Sequence, residues 1–145
     1  MITIQTASSN NYEQLAEIWF KASIIAHNFI AQSYWQQNIL AMQTQYLPNA
    51  EVYVAIANKQ PVGFIALKNN CLVAIFIDPN FQGKGIGTQL LHYAKQLKSE
   101  LTLQVYQKNK QAVQFYLQQG FIIVNETVDE TTQQLEYVLR WNAPS

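Results

Sequence analysis

Apolar and polar positions alternate from Ile2 to Thr6, which predicts a short strand with one face toward a core. The period then changes. Leu15, Ile18, Trp19 and Ala22 recur at spacings of three and four, the pattern of one helix face, and Ser8, Ser9 and Asn10 offer N-caps before them. Asn28 to Ser33 breaks that pattern. Ser33 is placed to cap a second helix whose stripe is Trp35, Ile39, Met42 and Tyr46, closed by Pro48. Glu51–Ala57 and Val62–Leu67 read as strands about the turn Asn58-Lys59-Gln60-Pro61. Asn69-Asn70 leads into Cys71–Ile77, a run apolar on both faces, as in a central strand.

Leu90, Leu91, Ala94 and Leu97 mark a helix that ends near Lys98. Leu101–Tyr106 alternates as a strand, and a helix runs from about Asn109 to Gln119 with Gly120 as its stop. Phe121–Thr127 and Gln134–Trp141 form a last pair about Val128-Asp129-Glu130-Thr131-Thr132. The order is therefore β α α β β β α β α β β. A strand–helix–strand crossover sits in the middle with hairpins on both sides, which predicts an α/β chain, a mixed sheet with helices on both faces.

Composition narrows the reading. The 145 residues suit one domain spanning 1–145, and with 49% apolar and 12% aromatic residues disorder is not expected. Nine basic residues balance nine acidic ones, so no general electrostatic grip on nucleic acid or acidic membrane is expected. A lone cysteine, Cys71, excludes an internal disulfide and a thiolate zinc cluster; inside an apolar run it reads as a buried, inert thiol, and no metal is expected. The early residues are polar and no apolar run reaches membrane-spanning length, which predicts a cytoplasmic protein.

The candidate chemistry begins between the strand ending at Ile77 and the next helix. Gly83, Gly85 and Gly87 alternate there, giving a tight turn whose bare N–H groups and positive helix end make a seat for an anion. A P-loop would need a hydroxyl after Lys84, where Gly85 stands, and a dinucleotide fingerprint would need a third glycine three after the second, where Thr88 and Leu90 stand. The pattern Gln/Arg-x-x-Gly-x-Gly/Ala is met by Gln82, Gly85 and Gly87, and it resembles the pyrophosphate loop of the GNAT superfamily of acetyl-CoA-dependent N-acetyltransferases. One helix and one strand later, Asn109, Ala112, Phe115, Tyr116, Gly120 and Phe121 meet every fixed position of a pattern similar to that superfamily's second signature, Asn-x-x-Ala-x-x-Phe-Tyr-x-x-x-Gly-Phe. The resemblance covers nearly the whole chain. It is nearest to small stand-alone bacterial members, and extends to Ala26-His27-x-Phe29-Ile30 and Val105-Tyr106-Gln107-Lys108-Asn109.

What the resemblance implies is specific. Acetyl-CoA would be the cosubstrate and a primary amine the acceptor, either a small molecule or a protein lysine or N-terminus. The parallel strands Leu72–Ile77 and Leu101–Tyr106 would splay, with the pantetheine arm between them paired to the backbone of Ile75, Phe76 and Ile77. Gln82, Gly83, Lys84, Gly85, Ile86, Gly87 and Thr88 would form the pyrophosphate seat, with Lys84 itself a solvated side chain. Asn109 would cap its helix or bind the cofactor, and Tyr116 would act as general acid toward the thiolate. Many relatives carry a glutamate where Gln104 stands, and an amide cannot accept a proton at ordinary pH. The base is then a water held by Gln104 and Asn109, or His27, or Glu136 in the last strand, or no residue at all; His27 can equally be hydrogen-bonded between the first two helices. Trp19, Phe20, His27, Phe29, Tyr34, Trp35 and Tyr137 would form the acceptor wall. The competing function is a non-catalytic acyl-CoA-binding or sensing module, which Gln104 favours and Tyr116 opposes. Monomer and homodimer both remain open.

Overall fold

The structure, a computed structural model, describes residues 1–144. Seven strands form one sheet: β1 (Ile2–Thr6), β2 (Glu51–Ala57), β3 (Gln60–Lys68), β4 (Cys71–Ile77), β5 (Glu100–Tyr106), β6 (Ile122–Asp129) and β7 (Gln134–Asn142). Their spatial order is β1-β2-β3-β4-β5-β7-β6, and every neighbouring pair is antiparallel except β4 with β5. The predicted mixed α/β sheet is therefore present. The β2–β3 turn is tighter than expected: Asn58 and Lys59 alone turn the chain, both at positive φ, and Gln60 and Pro61 already belong to β3.

Helices cover both faces. The helix α1 (Tyr12–Ala26), with α2 (Gln32–Gln37), α3 (Ile39–Ala41) and the turn that follows it, packs Leu15, Trp19, Trp35 and Met42 against Val54, Phe64 and Ala66. On the opposite face, α4 (Ile86–Leu97) and α5 (Lys110–Gln118) cover Ile65, Leu67, Leu101, Leu103 and Leu139 with Ile86, Leu90, Leu91 and Tyr116.

The single helix predicted over Trp35–Tyr46 is instead three pieces. Ser33 lies inside α2, whose N-cap position is Ala31. Asn38 donates its side-chain N–H to the Tyr34 carbonyl at 2.7 Å and ends α2, and Met42–Tyr46 then continues as a π-helical turn, with the Leu47 N–H bonded to the Met42 carbonyl. Hydrophobic spacing survives such a break because Trp35 and Met42 still reach the core.

Two features of β4 position the site. Ala66 pairs with Ala74 while Leu67 pairs with Leu72, so Val73 is an extra residue, a β-bulge left out of the ladder. The bulge inverts the alternation: Leu72 faces α4, whereas Ala74 and Phe76 face α1. On its other edge β4 meets β5 at one position only, Cys71 with Thr102, beyond which the strands part. The expected burial of β4 on both faces, and of Cys71, is therefore wrong: Cys71 and Val73 are exposed along the parting of the strands. The apolar run was read correctly, but one of its sides lines a cleft.

Candidate active site

The first residues of α4 are built to receive an anion. Gly85, at φ +79°, is the N-cap and supplies no side-chain cap, and Gly83 is also at positive φ. The N–H groups of Ile86, Gly87 and Thr88 therefore begin the helix without a side-chain partner from the cap residue. A coenzyme's phosphates fit this donor set. Gln82 turns back and donates to the carbonyl of Ile77 at 3.2 Å, fixing the loop to the end of β4. Lys84 is exposed, lies 5.3 Å from the centre of the Phe81 ring, and is not among the residues that line the cleft.

From this loop a cleft of about 1240 Å³ follows the gap between β4 and β5. Ile75, Phe76, Ile77, Gln82, Gly83, Gly85, Ile86, Gly87 and Thr88 line it from the β4 side, and Gln104, Tyr106, Asn109 and Tyr116 from the β5 side. The sheet separates these groups by face. Tyr116 stands with α5 on the α4/α5 face, within the cluster that holds Leu103 and Val105. Gln104 and Tyr106 alternate with those residues and face α1 and α2. Glu136, paired with Tyr106 in register, and Val138, paired with Gln104, share that second face. The two sets meet only through the gap.

Burial raises the Tyr116 pKa far above that of a free phenol, so its hydroxyl keeps its proton. Asn109 does cap α5: its Oδ1 accepts the Ala112 N–H at 3.3 Å. That cap fixes the amide orientation, so Nδ2 donates to His27 Nε2 at 3.2 Å and the imidazole proton sits on Nδ1, which has no protein partner. His27 is thus bonded across the cleft to Asn109 and not between the first two helices. It lies among the rings of Phe29, Trp35, Phe76 and Tyr106, and burial takes its pKa from 6.5 down to about 4. At neutral pH it is uncharged and a weak base.

On the acceptor side, Tyr106 donates its hydroxyl to Asp129 at 2.7 Å. Burial would raise the Asp129 pKa, but this bond and main-chain N–H donors from the turn outweigh it, and the carboxylate stays ionised. Glu136 is pushed the other way, upward, by burial and then by the charge of Asp129. Of the expected wall, Trp19, His27, Tyr34 and Trp35 line the cleft; Phe29 packs on His27 and Tyr106. Phe20 and Tyr137 do not line it, because Tyr137 pairs with Val105 and faces the other way; Tyr46, unmentioned in the expected wall, does. The Val73 bulge and the Tyr106–Asp129 bond were also missed. Both depend on strand register, of which the sequence carries only the alternation.

The comparisons agree with this geometry. Residues 48–123 match the family model described as Acetyltransferase (GNAT) domain. The chain is 32% identical over 139 residues to the peptidyl-lysine N-acetyltransferase YiaC of Escherichia coli, covering 95% of each. It superposes on the solution structure of apo YjaB from Escherichia coli with a TM-score of 0.87, at 31% identity over 99% of both chains. With a crystal structure of the PaiA N-acetyltransferase of Thermoplasma acidophilum in complex with coenzyme A it shares the fold, at a TM-score of 0.83 and 20% identity over 98% of this chain and 99% of the other.

Proposed function

The chain belongs to the GNAT acetyltransferase family and is an acetyl-CoA-dependent N-acetyltransferase, and from that premise we propose that its acceptor is a primary amine, the side-chain amine of a peptide lysine, attacking directly in a ternary complex. The relative YiaC carries the name peptidyl-lysine N-acetyltransferase, which supports the acceptor class. The observation that carries the reading is the parting of β4 from β5 beyond Cys71 and Thr102, with the bare N-terminus of α4 at one end of the cleft.

In this reading the N–H groups from Gly83 to Thr88 hold the pyrophosphate. The free edge of β4 over Ile75–Ile77 pairs with the pantetheine amides, and the bulged Val73 offers a main-chain N–H to the thioester oxygen. Gln82 ties the loop to the end of β4 from within the cleft lining, and Lys84 shapes it from outside. Tyr116 gives its proton to the departing sulfur. A phenol this reluctant to ionise does not surrender a proton to a thiolate unaided, so it acts as a relay and recovers one from the attacking nitrogen. Asn109 and His27 brace α5 against α1, which holds Tyr116 in place; Gln104 orients the incoming amine or a water beside it.

The test is acetyl-CoA-dependent release of free thiol across a panel of lysine peptides and small amines. Release with lysine peptides is the expected result. Release only with small amines would overturn the acceptor class. Binding of CoA with no release for any amine would favour the non-catalytic acyl-CoA-binding module.

A further inference from the structure

We propose that Glu136 is the carboxylate that receives the acceptor's ammonium group and takes its proton, the task Gln104 cannot perform. The inference rests on the lysine-acetyltransferase reading above. Its ground is positional. An amine approaching the gap from the α1/α2 face meets the side chains of that face only. Among the described residues that line the cleft, Glu136 is the one carboxylate. It stands on β7 directly across from Tyr106 and diagonally next to Gln104, on the same face of the sheet.

The surroundings suit that task. Tyr106 on β5 stands across from it and Asp129 at the end of β6 bears on it through its charge, while His27, Tyr34, Tyr46, Lys108 and Lys110 also line the cleft. Asp129 is ionised, His27 is neutral, and Lys108 lies over the Phe29 ring at 5.6 Å. Burial, and then the charge of Asp129, makes Glu136 a stronger base than a free carboxylate, and a carboxylate at this place attracts an ammonium group.

The proton count closes. One ammonium N–H bond breaks and Glu136 gains an O–H. The freed nitrogen pair forms the C–N bond, the C–S bond breaks, and its pair leaves on sulfur, which takes the Tyr116 proton. The nitrogen's second proton restores Tyr116, and Glu136 releases its own to solvent. The products are one amide, one thiol and one proton.

The experiment is the pH profile of kcat/KM from pH 6 to 10 with an N-terminally blocked lysine peptide, for the parent, Glu136→Gln and Glu136→Asp. With Glu136 as base, the parent profile levels off above the pKa of Glu136 and stays flat to near the lysine pKa of about 10.4. Glu136→Gln should fall by at least about tenfold at pH 7 and then rise about tenfold per pH unit, since only the neutral amine now reacts. Glu136→Asp should keep the flat shape at a lower level. All three should bind CoA alike, read from the thermal shift. A Glu136→Gln profile parallel to the parent's, or a parent that itself climbs tenfold per unit, overturns the proposal and leaves the acetyltransferase reading standing. A parent that binds CoA and acetylates no lysine overturns the acceptor reading, and the role of Glu136 falls with it.

Discussion

His27 shows how far one side chain's surroundings can redirect it. By type it suits proton transfer near neutrality, yet burial among four aromatic rings takes its pKa from 6.5 to about 4. The consequence is a stability effect of known sign. The folded pKa is depressed, so the stabilisation is present above pH 6.5 and is lost as pH falls through 6.5 toward 4, by up to about 3 kcal/mol. Chemical denaturation at pH 7.5 and pH 4 should show that loss, and His27→Gln should lack the part of the slope between them. Tyr116→Phe should retain CoA affinity while kcat falls by roughly ten- to ten-thousandfold, because the ring still packs against Phe115 and Phe121. Unchanged turnover would make the hydroxyl idle. At this scale the presence of Tyr116, Asn109 and Gln104 at the cleft was legible from fixed motif spacing. The place of Glu136 at the cleft was less legible, because it depends on a pairing with Tyr106, thirty residues away in sequence.

At the scale of elements, the helix at residues 86–97 and the glycine turn before it followed from local rules, and both are present. Glycine at positive φ, an open helix start and an apolar stripe on α4 are all encoded within a dozen residues. A Cβ at Gly85 meets no neighbour within 4 Å, so the cost of Gly85→Val is mainly the backbone conformation, about 1–2 kcal/mol, and its expected effect on ligands is blockage of the N–H groups. Thermal shifts by CoA and by acetyl-CoA should shrink together in this variant, because the loop reads phosphate and not the acyl group. A variant that binds both as the parent does would place the phosphates elsewhere. The second helix was less legible. Its apolar spacing is helical throughout, but the bond from Asn38 to the Tyr34 carbonyl competes with the ladder and divides the segment. The burial of Cys71 was misjudged for a related reason: a run of apolar residues reports low polarity, not what covers each side.

For the whole molecule, the order of strands and helices was readable because each element carried its own period and the crossover left few alternatives. The parting of β4 from β5 was expected from the family resemblance alone; nothing in either strand's composition announces it, and the bulge at Val73 that accompanies it is a matter of register with β3. The parting is what opens the sheet to a cleft. The start of α4 and Tyr116 belong to the α4/α5 side, while Gln104, Tyr106 and Glu136 belong to the α1/α2 side. Donor and acceptor can then be bound together and meet through the gap, with no need for the protein to carry the acetyl group. Initial-rate kinetics with acetyl-CoA and a lysine peptide varied together test this most directly. Double-reciprocal lines that intersect, unaltered in Cys71→Ser, are the predicted result. Parallel lines, the mark of an acetyl-enzyme formed before the amine binds, would contradict it.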